Sequence, residues 1–276
     1  MKRLLGRRGR GSQIIPGGFL VLLVIFAALL APQISPRSPS TIDSGRQLES
    51  PSGGALFGTD NFGRDVFSRV IHGSRISLGI GLVSVFVATV IGSLLGLLAG
   101  YYGRWIDWGV MRVMDVLFSI PSILLALVLM GILGSSLTNL AIAISIVYMP
   151  IFARITRGEV LSLSSRDFIE ASRSTGARDL HIMWRHLVPN VLPLLIIQMT
   201  INLAFAILAE ASLSYLGLGT QPPAPSWGRM ISEGRIYLGE APWMSVFPGL
   251  ALMLTVIGFN LLGDGLRDRL DPRLRE

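Results

Sequence analysis

The residues best suited to chemistry are concentrated in one polar stretch, residues 166–193, which lies between two long apolar runs. It contains acidic, basic and imidazole side chains, among them Glu170, Asp179 and His186. The chain contains no cysteine, which excludes thiol nucleophiles and disulfides, and its histidines are too scattered to indicate a metal site. A charged segment of this length between two apolar runs is rarely a mere connector, and we interpret it as a surface that meets another molecule.

A nucleotide site of the common phosphate-loop type is also excluded. Such a loop needs a lysine directly after its glycines, and the one lysine of this sequence is Lys2. We therefore expect the chain to bind no cofactor itself. If ATP and Mg²⁺ are used, another subunit must bind them.

Composition indicates an integral membrane protein. The 276 residues have a mean hydropathy of +0.60, and 51% are hydrophobic whereas only 15% are charged. Soluble domains carry about 25% charged residues. The net charge of +7 comes from basic residues near the ends of apolar runs, a pattern that determines membrane topology. No basic stripe alternates with aromatic residues, so no nucleic-acid partner is predicted.

Six apolar runs approach the length that crosses a bilayer. We predict an all-α protein with six transmembrane helices at residues 14–31, 76–100, 113–133, 137–153, 191–216 and 243–262. The first run could be a cleaved signal peptide, but no clear cleavage site follows it, and a retained helix is favoured. Arginines near the helix ends place both termini and the central polar stretch in the cytosol.

Small and polar residues inside the apolar runs indicate how the helices pack. Gly92, Gly96 and Gly100 recur every four residues, a spacing that lets another helix approach closely. The fifth run contains the polar residues Gln198, Asn202 and Glu210. A carboxylate within a bilayer costs about 2.5–3.5 kcal/mol, so Glu210 is expected to face protein or water. It could line a transport path or, as we favour, form hydrogen bonds between helices near the outer interface.

Two segments next to the apolar runs predict local structure. Pro121 is expected to kink the third run or to mark an early bend in it. In residues 57–78, hydrophobic residues recur at helical spacing between arginines. This pattern predicts either an amphipathic helix on the membrane surface, capped by Thr59 or Asp60, or a polar lead-in to the second helix.

The first half of the polar stretch predicts one short helix. Ser165 or Asp167 could cap it, and it would run to about Thr175. Gly176 could end it, because glycine tolerates the left-handed conformation found at helix ends.

The second half predicts another helix from residue 179 to residue 187, with Pro189 and Pro193 marking the start of the fifth run. The two helices would form a helix-turn-helix along the membrane that could dock in a groove on a soluble partner. The alternative is a solvated loop.

The triplet Glu170-Ala171-Ser172, followed by Gly176 and Pro189, resembles the EAA loop of permease subunits of ABC importers. The commonest form of that motif has alanine where Ser172 stands, and isoleucine and leucine where His186 and Val188 stand. The run Arg185-His186-Leu187-Val188-Pro189-Asn190 is similar to the form in dipeptide, oligopeptide and nickel permeases. Three further segments are similar to that branch, which has an extra N-terminal helix: residues 57–78, 207–231 and 263–276.

The resemblance implies a type I ABC importer of the plasma (inner) membrane. Two permease subunits, usually forming a heterodimer, would build the translocation pathway. Two cytosolic ATPase subunits would bind ATP and Mg²⁺, and an extracytoplasmic solute-binding protein would deliver the solute. This chain would then not be an enzyme. Dipeptides or oligopeptides are the leading substrates, with nickel chelates or glutathione as alternatives.

The resemblance also assigns regions and residues. Residues 1–75 would hold the cytosolic tail, the first helix and an extracytoplasmic loop, and residues 76–276 the permease core with a coupling loop at 155–190. The residues implied in coupling to the ATPase are Glu170, Ala171, Ser172, Gly176, Ala177, Asp179, Arg185, His186, Pro189 and Asn190.

Two other classes of protein fit the sequence less well. An ion-driven secondary transporter would favour paired carboxylates in its helices and an internal repeat, but Glu210 is the one acidic residue well inside a predicted span, and no repeat is evident. A membrane-embedded enzyme would need His, Asp or Glu residues clustered at one depth. The sequence shows no such cluster.

Overall fold

The computed structural model describes residues 13–270, which form helices and loops without a β-strand in that range. The helices are α1 (Ile14–Leu29), α2 (Ala31–Ile34), α3 (Val66–Tyr102), α4 (Arg104–Ser119), α5 (Ser122–Leu133), α6 (Leu137–Ser164), α7 (Asp167–Ser174), α8 (Asp179–Ile182), α9 (Val188–Tyr215), α10 (Trp227–Gly234) and α11 (Trp243–Leu270). The basic N-terminal tail and the last arginines, which entered the topology prediction, lie outside the described residues.

Four described helical runs are long and apolar enough to cross a membrane: α3, α6, the run from α8 through α9, and α11. The pair α4 and α5 gives a fifth if its two parts count as one span. Helix α1 is apolar but has 16 residues, which corresponds to about 24 Å and is shorter than a hydrocarbon core of about 30 Å. The all-helical membrane fold is therefore confirmed, whereas the count of six spans stays a prediction.

The pair α3 and α6 forms the centre of the bundle, with the most extensive helix–helix contact in the described chain. Three glycines of α3, Gly92, Gly96 and Gly100, lie on the face that meets α6. A Cβ atom on Gly92 would lie 2.5 Å from the Met149 carbonyl oxygen, and one on Gly100 would lie 2.9 Å from the Val160 Cβ atom. The absence of side chains at these positions lets the two backbones come into contact.

Contacts at both ends of α3 define the two ends of the bundle. We call the end that holds residues 165–187 the insert end, and the end that holds residues 35–65 and 217–242 the cap end. At the cap end the Trp227 indole donates a hydrogen bond of 3.0 Å to the Val70 carbonyl. At the insert end the Tyr101 hydroxyl donates one of 2.7 Å to Asp179.

The first and last long helices pack against each other in opposite directions. Helix α11 begins at the cap end, where the Trp243 indole donates to the Thr59 carbonyl at 3.0 Å. Near its other end, Gly265 lies against Ile14 at the start of α1. The start of α1 and the end of α11 therefore lie together, opposite the cap.

The segment before the second span does not form a separate surface helix. Helix α3 begins at Val66 and continues without a break to Tyr102, and Asp65 caps it by accepting a 2.7 Å bond from the Ser68 N–H. The predicted cap Asp60 instead accepts bonds from two N–H groups of its own loop. The idea of a separate surface helix is wrong, because two arginines of this segment, Arg64 and Arg69, are buried in ion pairs at the cap end.

The third apolar run is bent much more than a kink. Helices α4 and α5 meet at an angle of 97°, and the two residues between them, Ile120 and Pro121, are extended. Proline disfavours the helical conformation in the residue before it, so the helix ends there and restarts afterwards. We call Ile120 and Pro121 the elbow.

The polar insert as a candidate docking site

The first helix of the insert, α7, is held to the bundle by one apolar side chain. Ile169 is fully buried, whereas Phe168 beside it is 40% exposed. The residue before the helix is Arg166, and its side chain makes no capping bond. The predicted caps are therefore wrong: Asp167 lies in the first turn, where a carboxylate favours the helix dipole, and the Ser165 hydroxyl donates to the Ser162 carbonyl.

The turn after α7 agrees with the role predicted for its glycine. Gly176 has φ +79°, in the left-handed region, and its N–H donates to the Arg173 carbonyl at 2.9 Å. The next N–H, that of Ala177, reaches back to the Ser172 carbonyl at 3.1 Å. These two bonds close the helix end and reverse the chain toward α8.

The second helix of the insert does not stop at the prolines. Helix α8 passes through a π-helical turn, Met183–Leu187, directly into α9. Pro189 lies in the first turn of α9, where the sequence predicts the start of the fifth run, and Pro193 lies inside the helix. Proline fits the first turn of a helix because no intrahelical bond needs its N–H there. The Asn190 side chain donates to the His186 carbonyl at 2.6 Å, which gives that carbonyl a partner within the turn.

The insert buries one apolar face and exposes another. Ile182, Met183 and Leu187 are buried against the bundle, but Leu180 and Trp184 are 66% and 63% exposed. Large exposed apolar residues next to charged ones are typical of a protein contact surface. Of the ten residues assigned to coupling, seven are exposed and three, Ser172, Ala177 and His186, are half-buried.

Side-chain contacts also link the insert to α3. Asp179 accepts the Tyr101 hydroxyl bond, and the Arg173 guanidinium lies 5.2 Å from the centre of the same Tyr101 ring. Tyr101 therefore contacts residues on both sides of the Gly176 turn. On the other face, the His186 ring lies 6.0 Å from the rings of Phe168 and His181.

Two of the three polar residues predicted in the fifth span, Asn202 and Glu210, face protein, and the third, Gln198, is half-buried. Glu210 is fully buried, and its Oε1 atom accepts bonds from Ser214 at 2.7 Å and Thr220 at 3.5 Å. Asn202 is buried and donates to the Gln198 carbonyl at 2.9 Å, within its own helix. Glu210 thus links α9 to the loop that follows it at the cap end.

A charged cluster at the cap end was not predicted. Glu233 of α10 accepts hydrogen bonds from Arg64, Arg69 and Arg229, at 3.2, 3.2 and 2.9 Å. Asp60 pairs with Arg64 at 2.6 Å. Arginines with nearby acids occur in both segments and are a weak signal for ion pairs, but no pattern in the sequence indicates that residues 60–69 and residue 233 meet.

Two ion pairs near the insert end were also not predicted. They join α4 to α6 and involve Asp107 with Arg157 and Asp115 with Arg154.

Two cavities lie close to α5. One of about 330 Å³ is lined by residues 117–122 with Leu125 and Val147, and one of about 250 Å³ is lined mainly by apolar residues of α5, α6 and α9, with Ser122, Tyr148 and Ser212.

An all-helical membrane bundle with an exposed polar insert between two of its spans defines a class of transport subunit. Residues 92–276 match the family of binding-protein-dependent transport system inner membrane components, and the chain belongs to that family. It is the permease subunit of an ABC importer.

Several curated proteins are similar to nearly the whole chain. The dipeptide transport system permease protein DppC of Alkalihalophilus pseudofirmus is 45% identical, over 95% of this chain and 86% of that protein. The glutathione transport system permease protein GsiD of Pectobacterium atrosepticum is 45% identical over 95% and 87%. The di/tripeptide transport system permease protein DppC of Pseudomonas aeruginosa is 46% identical over 94% and 88%.

A solved structure shows the same fold. A chain of the MetNI methionine ABC transporter in an inward-facing conformation superposes with a TM-score of 0.60, at 24% identity, over 73% of this chain and 96% of that chain. At this level of identity the comparison supports the fold alone.

Proposed function

We propose that this chain forms half of the translocation pathway of an importer for dipeptides or short oligopeptides, and that the insert couples it to a cytosolic ATPase. The observation that carries the proposal is the insert itself, which is anchored by buried residues and presents Leu180, Trp184 and charged side chains outward. The substrate class rests on the relatives, two of which are named for dipeptide or di/tripeptide transport.

We place the chain in the plasma (inner) membrane. In the proposed orientation, the insert end faces the cytosol. Arginine is frequent at the insert end, with Arg166, Arg173, Arg178 and Arg185 in the insert alone. The cap end would then face the solute-binding protein. A second permease, different in sequence, would complete the pathway, and ATP with Mg²⁺ would bind to the two ATPase subunits.

The direct test is transport by the reconstituted complex. The permease pair, the two ATPases and the binding protein are placed in liposomes, and uptake of a labelled dipeptide is measured with and without ATP. We expect uptake that needs ATP, and no uptake when the P-loop lysine of the ATPases is replaced by alanine. Uptake that persists with these inactive ATPases, driven by an ion gradient, would support a secondary transporter instead.

Glutathione is the second candidate substrate, because the relatives named for glutathione transport are as similar as those named for peptides. The cognate binding protein separates the two. A dissociation constant for glutathione at least tenfold lower than those for common dipeptides would favour glutathione, and the reverse order would favour peptides.

A further inference from the structure

Helix α4 is fastened to α6 by two arginine–aspartate pairs. Arg157 holds Asp107 through two nitrogens, and its Nη2–Oδ2 distance is 2.6 Å. Arg154 holds Asp115 at 2.6 Å between Nη2 and Oδ1. The Arg154 guanidinium also lies 4.2 Å from the ring centre of Phe118, at the last turn of α4. Two arginines one turn apart on α6 therefore hold most of the length of α4.

Helix α6 is in turn joined closely to the insert. It continues to Ser164, and α7 begins at Asp167. The junction is closed by backbone bonds from the Arg166 N–H to the Leu163 carbonyl and from the Ile169 N–H to the Arg166 carbonyl. Leu163 and Ile169 are both buried in the core. A displacement of α7 is therefore passed directly to the insert end of α6.

At its other end α4 leads into the elbow and the cavities. Ile120, Pro121 and Ser122 line the cavity of about 330 Å³, and Ser122 also lines the cavity of about 250 Å³. Helix α5 beyond the elbow packs on the bundle with one face, since Leu125 and Met130 are buried whereas Val128 and Ile132 are 58% and 77% exposed. A shift of α4 would change the walls of both cavities.

We propose that Asp107 and Asp115 are positioning residues for transport. They make α4 move with α6 and the insert as one body, so that the chain bends at the elbow and moves the walls of the cavities. This inference rests on the proposed function, because it takes the insert as the place where the ATPase acts. It assigns the two pairs a role in coupling rather than in binding substrate.

The exposure of the pairs agrees with such a role. The side chains of Arg154 and Asp115 are 39% and 54% exposed, and those of Arg157 and Asp107 are 33% and 23% exposed. An exposed ion pair such as Arg154–Asp115 contributes little to folding stability, whereas the two-nitrogen pair of Arg157 with Asp107 contributes more. Because α6 keeps its extensive contact with α3 in either case, removal of the two pairs should loosen α4 without unfolding the bundle.

The experiment compares Asp107→Asn/Asp115→Asn with the wild type in the complete reconstituted complex. We expect peptide uptake per ATP hydrolysed to fall about tenfold, while ATPase association and ATP hydrolysis stimulated by the binding protein persist. The control is Arg112→Gln, which removes an exposed charge from α4 itself, because Arg112 forms no ion pair within residues 13–270. It should leave the ratio unchanged.

A crosslink keeps the test informative if the double variant assembles poorly. The chain has no cysteine, so Asp107→Cys/Arg157→Cys can be joined by a short bifunctional thiol reagent. Uptake per ATP should be low before the reagent is added and rise at least threefold after it. An unchanged ratio in the double asparagine variant would overturn the inference, as would a crosslink that abolishes uptake. Both outcomes leave the proposed function intact as long as wild-type uptake needs ATP.

Discussion

The chain reverses direction between α7 and α8 at a single glycine. Gly176 has φ +79°, and a Cβ atom placed on it would meet nothing within 4 Å. A side chain at position 176 would therefore be disfavoured by the left-handed backbone conformation and not by steric contact. A left-handed residue costs about 1–2 kcal/mol for most amino acids and more for β-branched ones, whereas asparagine tolerates it better.

We predict that Gly176→Val lowers peptide uptake at least fivefold while the protein stays in the membrane, because α7 and α8 would lose their relative orientation at the docking face. Gly176→Asn should retain more than half of the activity. Gly239→Val is the matched control, since Gly239 also lies in open space but without a positive φ. Uptake equal to that of the wild type in the valine variant would contradict the prediction.

The glycines of α3 make a different demand, which is for space. A Cβ atom on Gly96 would lie 2.9 Å from the Thr156 Cβ atom and 3.0 Å from the Ala153 carbonyl carbon. We predict that Gly96→Ala destabilises the protein by about 1–3 kcal/mol, because two packed backbones must move apart.

The measurement for Gly96→Ala is the thermal unfolding midpoint of the purified protein in detergent. Gly79→Ala, on the same helix but with nothing within 4 Å, should leave the midpoint unchanged or raise it slightly. Equal midpoints for the two variants would show that the α3–α6 contact adapts.

At the scale of elements, the elbow separates α4 from α5. With Pro121 replaced by alanine, the restriction on Ile120 is removed and the helix can continue through the bend. We predict that Pro121→Ala reduces uptake about threefold or more with ATP hydrolysis retained, because a straighter and stiffer joint would resist bending. Pro193→Ala, at a proline already inside a helix, is the control. Unaltered uptake in Pro121→Ala would show that the bend does not depend on the proline.

The loops and α10 at the cap end are held together by ion pairs. Glu233 is the shared acceptor for three arginines, two of which are buried. We predict that Glu233→Gln destabilises the protein by about 2 kcal/mol, since charged donors lose their ionised partner. The midpoint of thermal unfolding checks this, with the exposed Glu240→Gln as control. An unchanged midpoint would mean that Asp60 alone is sufficient to stabilise the buried arginines.

The elements that could be predicted from sequence were those set by local chemistry. Apolar length located the long spans, and the glycine at position 176 located the turn of the insert. The errors arose where neighbours in space decided the outcome. Residues 66–69 begin the second span itself, because ion pairs at the cap end satisfy the buried Arg69 and the neighbouring Arg64. The pairs that bridge α4 and α6 join residues at least 39 positions apart, which a single sequence does not bring together.

At the scale of the whole molecule, the orientation of every helix in the membrane depends on one question, which is whether the insert end or the cap end faces the cytosol. The start of α1 and the end of α11 lie opposite the cap, and the long helices alternate in direction between the two ends. If the insert end is cytosolic, the start of α1 and the end of α11 lie on the cytosolic side as well. The arginine distribution favours that choice, although the long cap loop obeys the rule weakly.

We predict that a reporter active only outside the cytosol is silent when fused at Ser172 and active when fused at Pro223, because these positions lie at opposite ends of the bundle. A third fusion after residue 270 should be silent, since α11 ends opposite the cap. Enzyme activity of all three fusions, normalised to the amount of protein in the membrane, is the measurement. Activity at Ser172 with silence at Pro223 would invert the orientation of every helix and place the insert beyond the reach of any cytosolic ATPase. That result would therefore contradict the coupling role and not only the topology.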